Sequence, residues 1–217
     1  MSMQERPRRR HTPKQAEQAI LAAARSFLSE HPFRELTAEA VMARTGLSRP
    51  AFYAYFRDRY DLVTHLLEGI GALLFTVDRV WLEGKSESRE GASKNLGDAL
   101  RKGSETFLMY GPVLRAIADA ASSDGRVEQV YRFGLIENFI QAVAARIERD
   151  VAAGISPSDI VPEETARALV LLTERYLLDT FGNPSERPSP QWTATVLETL
   201  EKIWTKTLYA EDGSTER

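Results

Sequence analysis

The segment 37–62 places three helix-capping residues around one glycine, and this spacing constrains the fold more than any other feature of the chain. Thr37, Ser48 and Asp58 each carry a side-chain oxygen that can accept a hydrogen bond from a free amide at the start of a helix. Gly46 falls where a chain leaving a helix commonly takes a positive φ, which a Cβ makes costly. The segment therefore predicts two short helices joined by a tight turn and followed by a longer helix.

The apolar residues of this segment indicate which side of the short helices is buried. Phe52 and Phe56 are spaced to pack inward, and Val41 and Leu47 can meet them and fix the angle between the helices. Arg49 then stays less committed to the core. A helix-turn-helix of this kind presents its second helix to the major groove of DNA, where an Arg can grip guanine with two hydrogen bonds. A helical hairpin without a DNA-binding role also needs caps and a glycine, and it is the alternative.

The same segment resembles the signature of the TetR family of bacterial transcriptional regulators. Residues 46–59 read Gly-Leu-Ser-Arg-Pro-Ala-Phe-Tyr-Ala-Tyr-Phe-Arg-Asp-Arg and are followed by Leu62. Asp58 stands where the family usually has Ser, and Arg59 where it usually has Lys, so a cap and a cation are kept. The resemblance implies an all-α, nine-helix architecture with an N-terminal helix-turn-helix domain and a C-terminal helical ligand-binding and dimerisation domain. It also implies phosphate contacts from Thr37, Ser48, Tyr53 and Arg59 and a base contact from Arg49.

Charge is distributed unevenly along a chain whose formal net charge is −3. Residues 1–60 contain 11 Lys and Arg against 6 Asp and Glu, whereas the rest of the chain contains 17 against 25. The densest basic run, Arg6 to His11, lies directly before a helix start marked by Thr12, Pro13 and Gln15. We expect this arm to lie along the phosphates or to enter the minor groove, and a solubilising tail is the alternative. The residues expected to contact DNA or to lie beside the recognition helix are Arg8, Arg9, Arg10, Thr37, Ser48, Arg49, Pro50, Phe52, Tyr53, Tyr55 and Arg59.

Helical patterns follow one another along the chain, and no stretch alternates with the period of a strand for long enough to require a sheet. Breaks at Gly and Pro, including Gly111-Pro112, separate nine expected helices. Their spans are 13–30, 37–44, 48–54, 58–83, 93–110, 112–121, 124–153, 162–181 and 189–208. The expected domains are a disordered basic arm at 1–12, a DNA-binding domain at 13–60 and a ligand-binding and dimerisation domain at 61–217.

The helical body carries more large apolar side chains than one thin buried face needs. Several could surround a small-molecule cavity, because such sites are lined by apolar and aromatic side chains with few polar groups. Ordinary core packing explains the same residues, but residues 173–181 and 203–209 resemble the EthR-like branch of the TetR family, and this favours the cavity. Thr173 takes the place of an Asn that binds ligand in that branch, and Asn138 is a second polar candidate unless it faces solvent. The expected lining is Leu96, Leu100, Phe107, Tyr131, Leu135, Asn138, Thr173, Leu177 and Trp204.

The last two helices carry apolar residues on more than one side. Helix 162–181 has Ala166, Leu169, Val170, Thr173 and Leu177, and helix 189–208 has Val196, Leu197, Leu200, Ile203 and Trp204. Stripes that face both inward and outward would let these helices pair with their symmetry mates as a four-helix bundle. Packing within a single chain is the alternative.

Other classes of protein fit the sequence poorly. The three His are scattered, and there is no glycine-rich phosphate loop or nucleophile elbow, so no catalytic residue, metal or cofactor is expected. Cysteine is absent, which suits a reducing cytosol. No apolar run reaches the roughly eighteen residues of a membrane-spanning helix. We therefore expect a cytoplasmic protein that does not enter a membrane.

Together with the resemblance, these features predict a homodimeric transcriptional repressor. It would bind a near-palindromic operator in double-stranded DNA and leave it when a small apolar or amphiphilic effector enters the helical domain. A ligand-responsive activator is the near alternative. An architectural protein that binds DNA without sequence preference is a further alternative, but it leaves the large apolar second domain unexplained.

Overall fold

The computed structural model describes residues 12–210, apart from the side chains of residues 72 and 74–78. Nine α-helices and no strand occur in this part of the chain, as the sequence predicts. The helices are α1 Pro13–Leu28, α2 Ala38–Ala43, α3 Arg49–Phe52, α4 Arg59–Glu83, α5 Arg89–Ala121, α6 Gly125–Glu128, α7 Glu137–Ala152, α8 Pro162–Phe181 and α9 Pro190–Tyr209. A 3-10 turn covers Phe33–Glu35, and a π-helical segment covers Gln129–Ile136 between α6 and α7.

Local capping fixes the start of most helices in the DNA-binding half. Thr12 and Gln15 form the expected capping box at α1, in which each side chain accepts a hydrogen bond from the other residue's backbone amide. Thr37 Oγ1 accepts from the amide of Ala40 at 3.1 Å, and Asp58 caps α4. Ser48 is the N-cap of α3, but its hydroxyl makes no capping hydrogen bond. The prediction of a capping bond from this side chain is therefore wrong.

Helix α5 differs from the prediction, because it continues through Gly111 and Pro112 for 33 residues instead of breaking into two helices. An interior Pro loses one backbone hydrogen bond and costs about 3 kcal/mol. Burial on both sides of the Pro offsets this cost: Leu96 is buried before it, and Val113 and Ile117 are buried after it. Gly111 also meets α8 closely, since a Cβ placed there would lie 2.3 Å from the carbonyl oxygen of Phe181.

The predicted helix 124–153 is likewise not a single α-helix, since eight of its residues form the π-helical segment. Residues of this segment contribute to two separate surfaces. Leu135 and Ile136 line an internal cavity, and Tyr131 lines an outer groove. A wider helical turn of this kind is often found next to functional sites.

The core joins the DNA-binding half to the rest of the chain. Phe52 and Phe56 belong to the same buried cluster as Val113 and Ile117 in the second half of α5. A second cluster, farther along the body, contains Trp81, Leu96, Ile140 and Trp204. The domain boundary expected at residue 60 falls in the first turn of α4, so one helix belongs to both halves.

A buried polar network holds the end of α4 against α7 and α9, and the sequence analysis did not foresee it. The side chain of Arg146 is 1% exposed and donates to Asp150 Oδ2 at 2.8 Å and to the carbonyl oxygens of Trp81 and Gly84. Tyr209 donates its hydroxyl to Asp150 at 2.9 Å and accepts from Trp81 Nε1 at 3.1 Å. Burial, together with the negative charge of Asp150, raises the pKa of Tyr209, so this hydroxyl stays a neutral donor.

Candidate DNA-binding surface and internal cavity

The turn between α2 and α3 has the geometry that its sequence predicts. Gly46 takes φ +70°, where an L side chain would be strained. Thr45 organises the turn in place of Ser48: its hydroxyl donates to the carbonyl of Met42 at 2.9 Å and accepts from the amide of Leu47 at 3.1 Å. These two hydrogen bonds orient α3. A Thr two residues before Leu47 was the available signal for this turn, and it was not used in the prediction.

Most of the residues expected at DNA lie on the surface of this turn and of α3. Thr37, Ser48, Arg49 and Pro50 are exposed, Tyr55 is half-buried, and Tyr53 is 54% exposed. Phe52 is the exception, because its side chain is 1% exposed and packs against Phe56 with 5.6 Å between ring centroids. The inward packing expected for Phe52 is therefore confirmed, whereas a contact of this side chain with DNA is wrong, and its role is to support α3 from within. Arg8, Arg9 and Arg10, and the expected arm apart from Thr12, lie outside the described residues.

Arg59 is held by neighbouring groups at the start of α4. Its guanidinium lies over the rings of Phe33, at 4.8 Å from the centroid, and of Tyr60, at 5.1 Å. It also donates to the Tyr60 hydroxyl at 3.3 Å. These contacts tie the 3-10 turn ahead of α2 to the first turn of α4, and a phosphate contact from Arg59 stays a prediction.

Asp58 joins the DNA-binding half to α6. One carboxylate oxygen accepts from the amides of Tyr60 and Asp61, each at 2.9 Å, and the other accepts from Arg126 Nη2 at 2.9 Å. Partial burial opposes ionisation, but the amide of Asp61 and the charge of Arg126 outweigh it and lower the pKa of Asp58. A Ser at this position would keep the cap and lose the link to Arg126.

A cavity of about 100 Å³, partly open to the surface, lies in the helical body between α4, α5, the π-helical segment, α7, α8 and α9. Its wall is almost entirely apolar. It is lined by Trp81, Leu96, Ala99, Leu100, Gly103, Ser104, Phe107, Leu135, Ile136, Phe139, Val170, Thr173, Glu174, Leu177 and Trp204. Seven of the expected lining residues are therefore brought together: Leu96, Leu100, Phe107, Leu135, Thr173, Leu177 and Trp204.

Tyr131 and Asn138 do not line this cavity, and their expected positions are wrong. Tyr131 lines the outer groove and donates its hydroxyl to Glu174 Oε1. Asn138 is exposed, and its Nδ2 donates to the carbonyl of Gly134 at 2.7 Å. The π-helical segment changes the register of the following helix, so a position that looked apolar from its neighbours in sequence faces solvent.

Two aromatic side chains shape one end of the cavity. Trp81 and Trp204 meet edge to face with 6.0 Å between ring centroids. Trp204 Nε1 donates to Thr173 Oγ1 at 2.8 Å, so the expected polar handle already has a partner. Trp81 and Glu174 are lining residues that the sequence analysis missed, and a large aromatic residue close to the end of the long α4 was the available signal for Trp81.

Comparison with known families decides the relationship. Residues 97–210, more than half of the chain, match the family described as transcriptional regulator EthR, C-terminal domain. Residues 20–66 match the family described as bacterial regulatory proteins, tetR family. The chain belongs to the TetR family of transcriptional regulators, in its EthR branch.

Several named proteins resemble the chain over most of its length. The HTH-type transcriptional regulator EthR of Mycobacterium tuberculosis is 29% identical over 215 residues, which cover 95% of this chain and 94% of that protein. The EthR of Mycolicibacterium smegmatis is 27% identical over 197 residues, covering 89% and 86%. The solved structure of Salmonella enterica GusR has a TM-score of 0.70 at 19% identity and covers 93% of this chain and 99% of its own. Fatty acid degradation regulator FadR from Bacillus halodurans has a TM-score of 0.68 at 9% identity, covering 96% and 100%. These two structures support the fold alone.

The last two helices of this TetR-family chain face inward more than the sequence predicts. Ala166, Leu169, Val170 and Leu177 of α8 are buried, and so are Val196, Leu200 and Trp204 of α9. They complete the core of their own chain and form the expected inward stripe, so only the outward position expected for Val196 is wrong. The exposed apolar surface of these helices consists instead of Leu171 and Leu172 on α8 and Trp192 on α9.

Within the described residues, no helix is long and apolar enough to cross a membrane. No group of His, Asp or Glu side chains in the same part of the chain is arranged to hold a metal ion. The family of this chain consists of transcriptional regulators.

Proposed function

We propose that this TetR-family regulator is a homodimeric repressor that binds a near-palindromic operator and leaves it when a small apolar effector enters the cavity. One observation carries the proposal: α4 runs in one piece from Arg59, beside the helix-turn-helix, to Trp81 in the cavity wall. A change in the shape of the cavity can therefore move the DNA-binding half through a single helix. The link between Asp58 and Arg126 supplies a second contact between the two halves.

DNA reading would depend on the exposed face of α3. Arg49 is the first residue of this helix, and Tyr53 caps its C-terminus. Recognition helices read bases mainly with residues near their N-terminal end. In this proposal Arg49 meets a base edge and Tyr53 meets a phosphate.

Replacing Arg49 by Ala is expected to cost about 1–3 kcal/mol on the cognate operator and much less on a random duplex, because a bidentate contact to guanine is lost. The operator would be recovered by in vitro selection from random duplexes, and affinities would be measured by fluorescence anisotropy. Arg25→Ala removes the same charge from the exposed surface of α1 and serves as the matched control. Deleting residues 1–10 should weaken binding to both duplexes and make the affinity depend less steeply on salt concentration. Equal losses on both duplexes for Arg49→Ala would contradict base reading.

The proposed dimer would pair the outer faces of α8 and α9. Leu172 is 42% exposed and Trp192 is 50% exposed, although both are large apolar side chains. A helix-turn-helix protein commonly reads two half-sites about one helical turn apart and needs a two-fold axis that it shares with the DNA. Isologous pairing of α8 and α9 would supply this axis.

Effector release requires a difference in affinity between two states of the protein. A ligand that binds both states equally shifts nothing, and a hundredfold shift needs about 2.7 kcal/mol of difference. A cavity of about 100 Å³ with an apolar wall can supply this difference if the operator-bound shape fits the ligand less well.

Leu100→Trp tests the proposed function, because the larger side chain should fill the cavity. We expect the effector concentration needed for operator release to rise by about tenfold or more, since this corresponds to only about 1.4 kcal/mol. Operator affinity without effector should stay nearly unchanged. Hits from a thermal-shift screen of apolar and amphiphilic compounds would be followed by operator titrations. Leu108→Trp places the same change on the exposed surface of α5 and is the control. Equal release of wild type and Leu100→Trp by every hit would overturn the proposed role of the cavity.

A further inference from the structure

Among the described residues, the wall of the cavity contains one ionisable side chain, Glu174. The two hydroxyl groups of the wall are already engaged. Ser104 donates to the carbonyl of Leu100 at 2.7 Å, and Thr173 accepts from Trp204. Among the described residues, Glu174 is therefore the one charged group that a ligand in the cavity could meet.

Glu174 has acceptor capacity that its own chain does not use. Its Oε1 accepts one hydrogen bond, from the Tyr131 hydroxyl. A carboxylate has about four lone-pair positions on two oxygens, so Oε2 remains able to accept from a ligand. Burial, followed by the charge of Glu174, raises the pKa of Tyr131, and this keeps the hydroxyl a neutral donor that leaves the carboxylate charge uncompensated.

The arginines around Glu174 do not neutralise it. Arg175 pairs with Asp179 at 2.9 Å, and Arg115 pairs with Asp119 at 3.2 Å and with Asp179 at 3.0 Å. Arg132 is exposed, lines the same groove and acts through its charge on Tyr131, but it forms no ion pair with Glu174. Within the described part of the chain, Glu174 is thus a carboxylate beside an apolar space without a cationic partner. A partly buried charge of this kind is stabilised by an opposite charge.

Glu174 also lies at the boundary between two spaces. Together with Ile136, it lines both the cavity and the outer groove, which has a volume of about 310 Å³. An engineered apolar cavity of about 150 Å³ holds one benzene molecule, so a cavity of about 100 Å³ takes up only the end of a short alkyl chain. The polar end of such a ligand would reach Glu174 at the mouth of the groove.

We propose that Glu174 selects effectors in which a short apolar body carries a protonated amine, with the ammonium group on the free oxygen of Glu174 and the body in the cavity. That such an amine acts as an effector rests on the proposed function. Binding of the amine does not, because it can be measured without DNA. A carboxylate ligand would meet like-charge repulsion at the same place. An alcohol could donate a hydrogen bond to the carboxylate, but it would bring no positive charge to compensate it.

The test uses hexylamine, hexanol and hexanoate at pH 7, where the amine is charged. Trp81 and Trp204 line the cavity, whereas Trp192 is exposed, so tryptophan fluorescence in a Trp192→Phe background reports on the cavity wall. Hexylamine is expected to bind at least about tenfold more tightly than either of the other compounds. Glu174→Gln should weaken the binding of hexylamine by about tenfold to a hundredfold and the binding of hexanol much less, because only the amine loses an ion pair. Glu164→Gln, at an exposed position earlier on α8, is the matched control and should change neither.

Equal binding of the three compounds, or no binding of hexylamine, would overturn the inference even if Glu174→Gln did not fold. A loss of hexanol affinity in Glu174→Gln equal to the loss for hexylamine would overturn it as well. Operator titrations separate the two proposals. If hexylamine binds through Glu174 but does not release the protein from the operator, the amine site is confirmed and the proposed release by this ligand is wrong. If hexanol releases the operator as well as hexylamine does, with no effect of Glu174→Gln, the repressor proposal stands and the amine site fails.

Discussion

Replacing Arg146 by Met is expected to lower the free energy of unfolding by about 3–5 kcal/mol, because removing one partner of a buried ion pair leaves the other charge uncompensated. Arg146 and Asp150 have side-chain exposures of 1% and 6%. The substitution also leaves the carbonyl oxygens of Trp81 and Gly84 at the end of α4 without this donor. Urea denaturation followed by circular dichroism would measure the change.

Two variants show whether the buried pair is the cause. Arg79→Met removes an exposed Arg whose partner Glu83 lies one turn away, and it should leave the free energy of unfolding nearly unchanged, because an exposed pair contributes little. Arg146→Met combined with Asp150→Leu should recover part of the loss, since an apolar pair can replace a buried ion pair. A loss below about 1 kcal/mol for Arg146→Met would show that water or another group compensates Asp150, contrary to our account.

Replacing Leu172 by Glu is expected to split the proposed dimer and to reduce operator affinity by at least about a hundredfold. A two-fold axis would bring two new carboxylates into one interface, and each buried ion costs several kcal/mol. Sedimentation at micromolar protein should change from a dimer to a species of 24.4 kDa that is still helical. Loss of the dimer would separate the two half-site contacts, so the operator affinity should fall with it.

Leu108→Glu is the matched control for this prediction. Leu108 is 45% exposed on α5, close to the 42% exposure of Leu172 on α8. It should leave both the oligomeric state and the operator affinity unchanged. If wild-type protein sediments only as a 24.4 kDa species, or if both variants behave alike, the outer face of α8 is not the dimer interface.

The cavity and the buried network meet at Trp81. This residue lines the cavity, and its carbonyl oxygen and indole nitrogen bind Arg146 and Tyr209. The far end of α4 is therefore fixed to α7 and α9, while its near end lies beside α3. A ligand that displaces Trp81 would act on the same helix that positions the DNA-binding half.

The sequence by itself determined the features that depend on neighbouring residues. The capping box of Thr12 and Gln15, the caps at Thr37 and Asp58 and the positive φ of Gly46 are present as predicted. Each is decided within about four residues by hydrogen bonds and sterics that any chain with these residues would have. The helix-turn-helix and its family signature follow from these local features.

Only the tertiary structure decided which faces of the later helices are covered. Val196 is buried because neighbouring helices pack over it, whereas Asn138 faces solvent. Seven cavity residues could be predicted, since large apolar side chains on adjacent helices tend to converge. The empty space between these residues could not be predicted, because a cavity depends on how closely side chains far apart in the sequence fit together.

Continuity through Pro112 and the partners of Arg146 were also decided at the tertiary level. The local cost of an interior Pro favours a break, and burial of the residues on both sides outweighs this cost. In the sequence, Arg146 looks like an ordinary charged residue of an amphipathic helix. Its hydrogen-bond network is completed by residues more than fifty positions away, namely Trp81, Gly84 and Tyr209. Local rules could not reveal these features, because their energies come from contacts that exist only after the chain has folded.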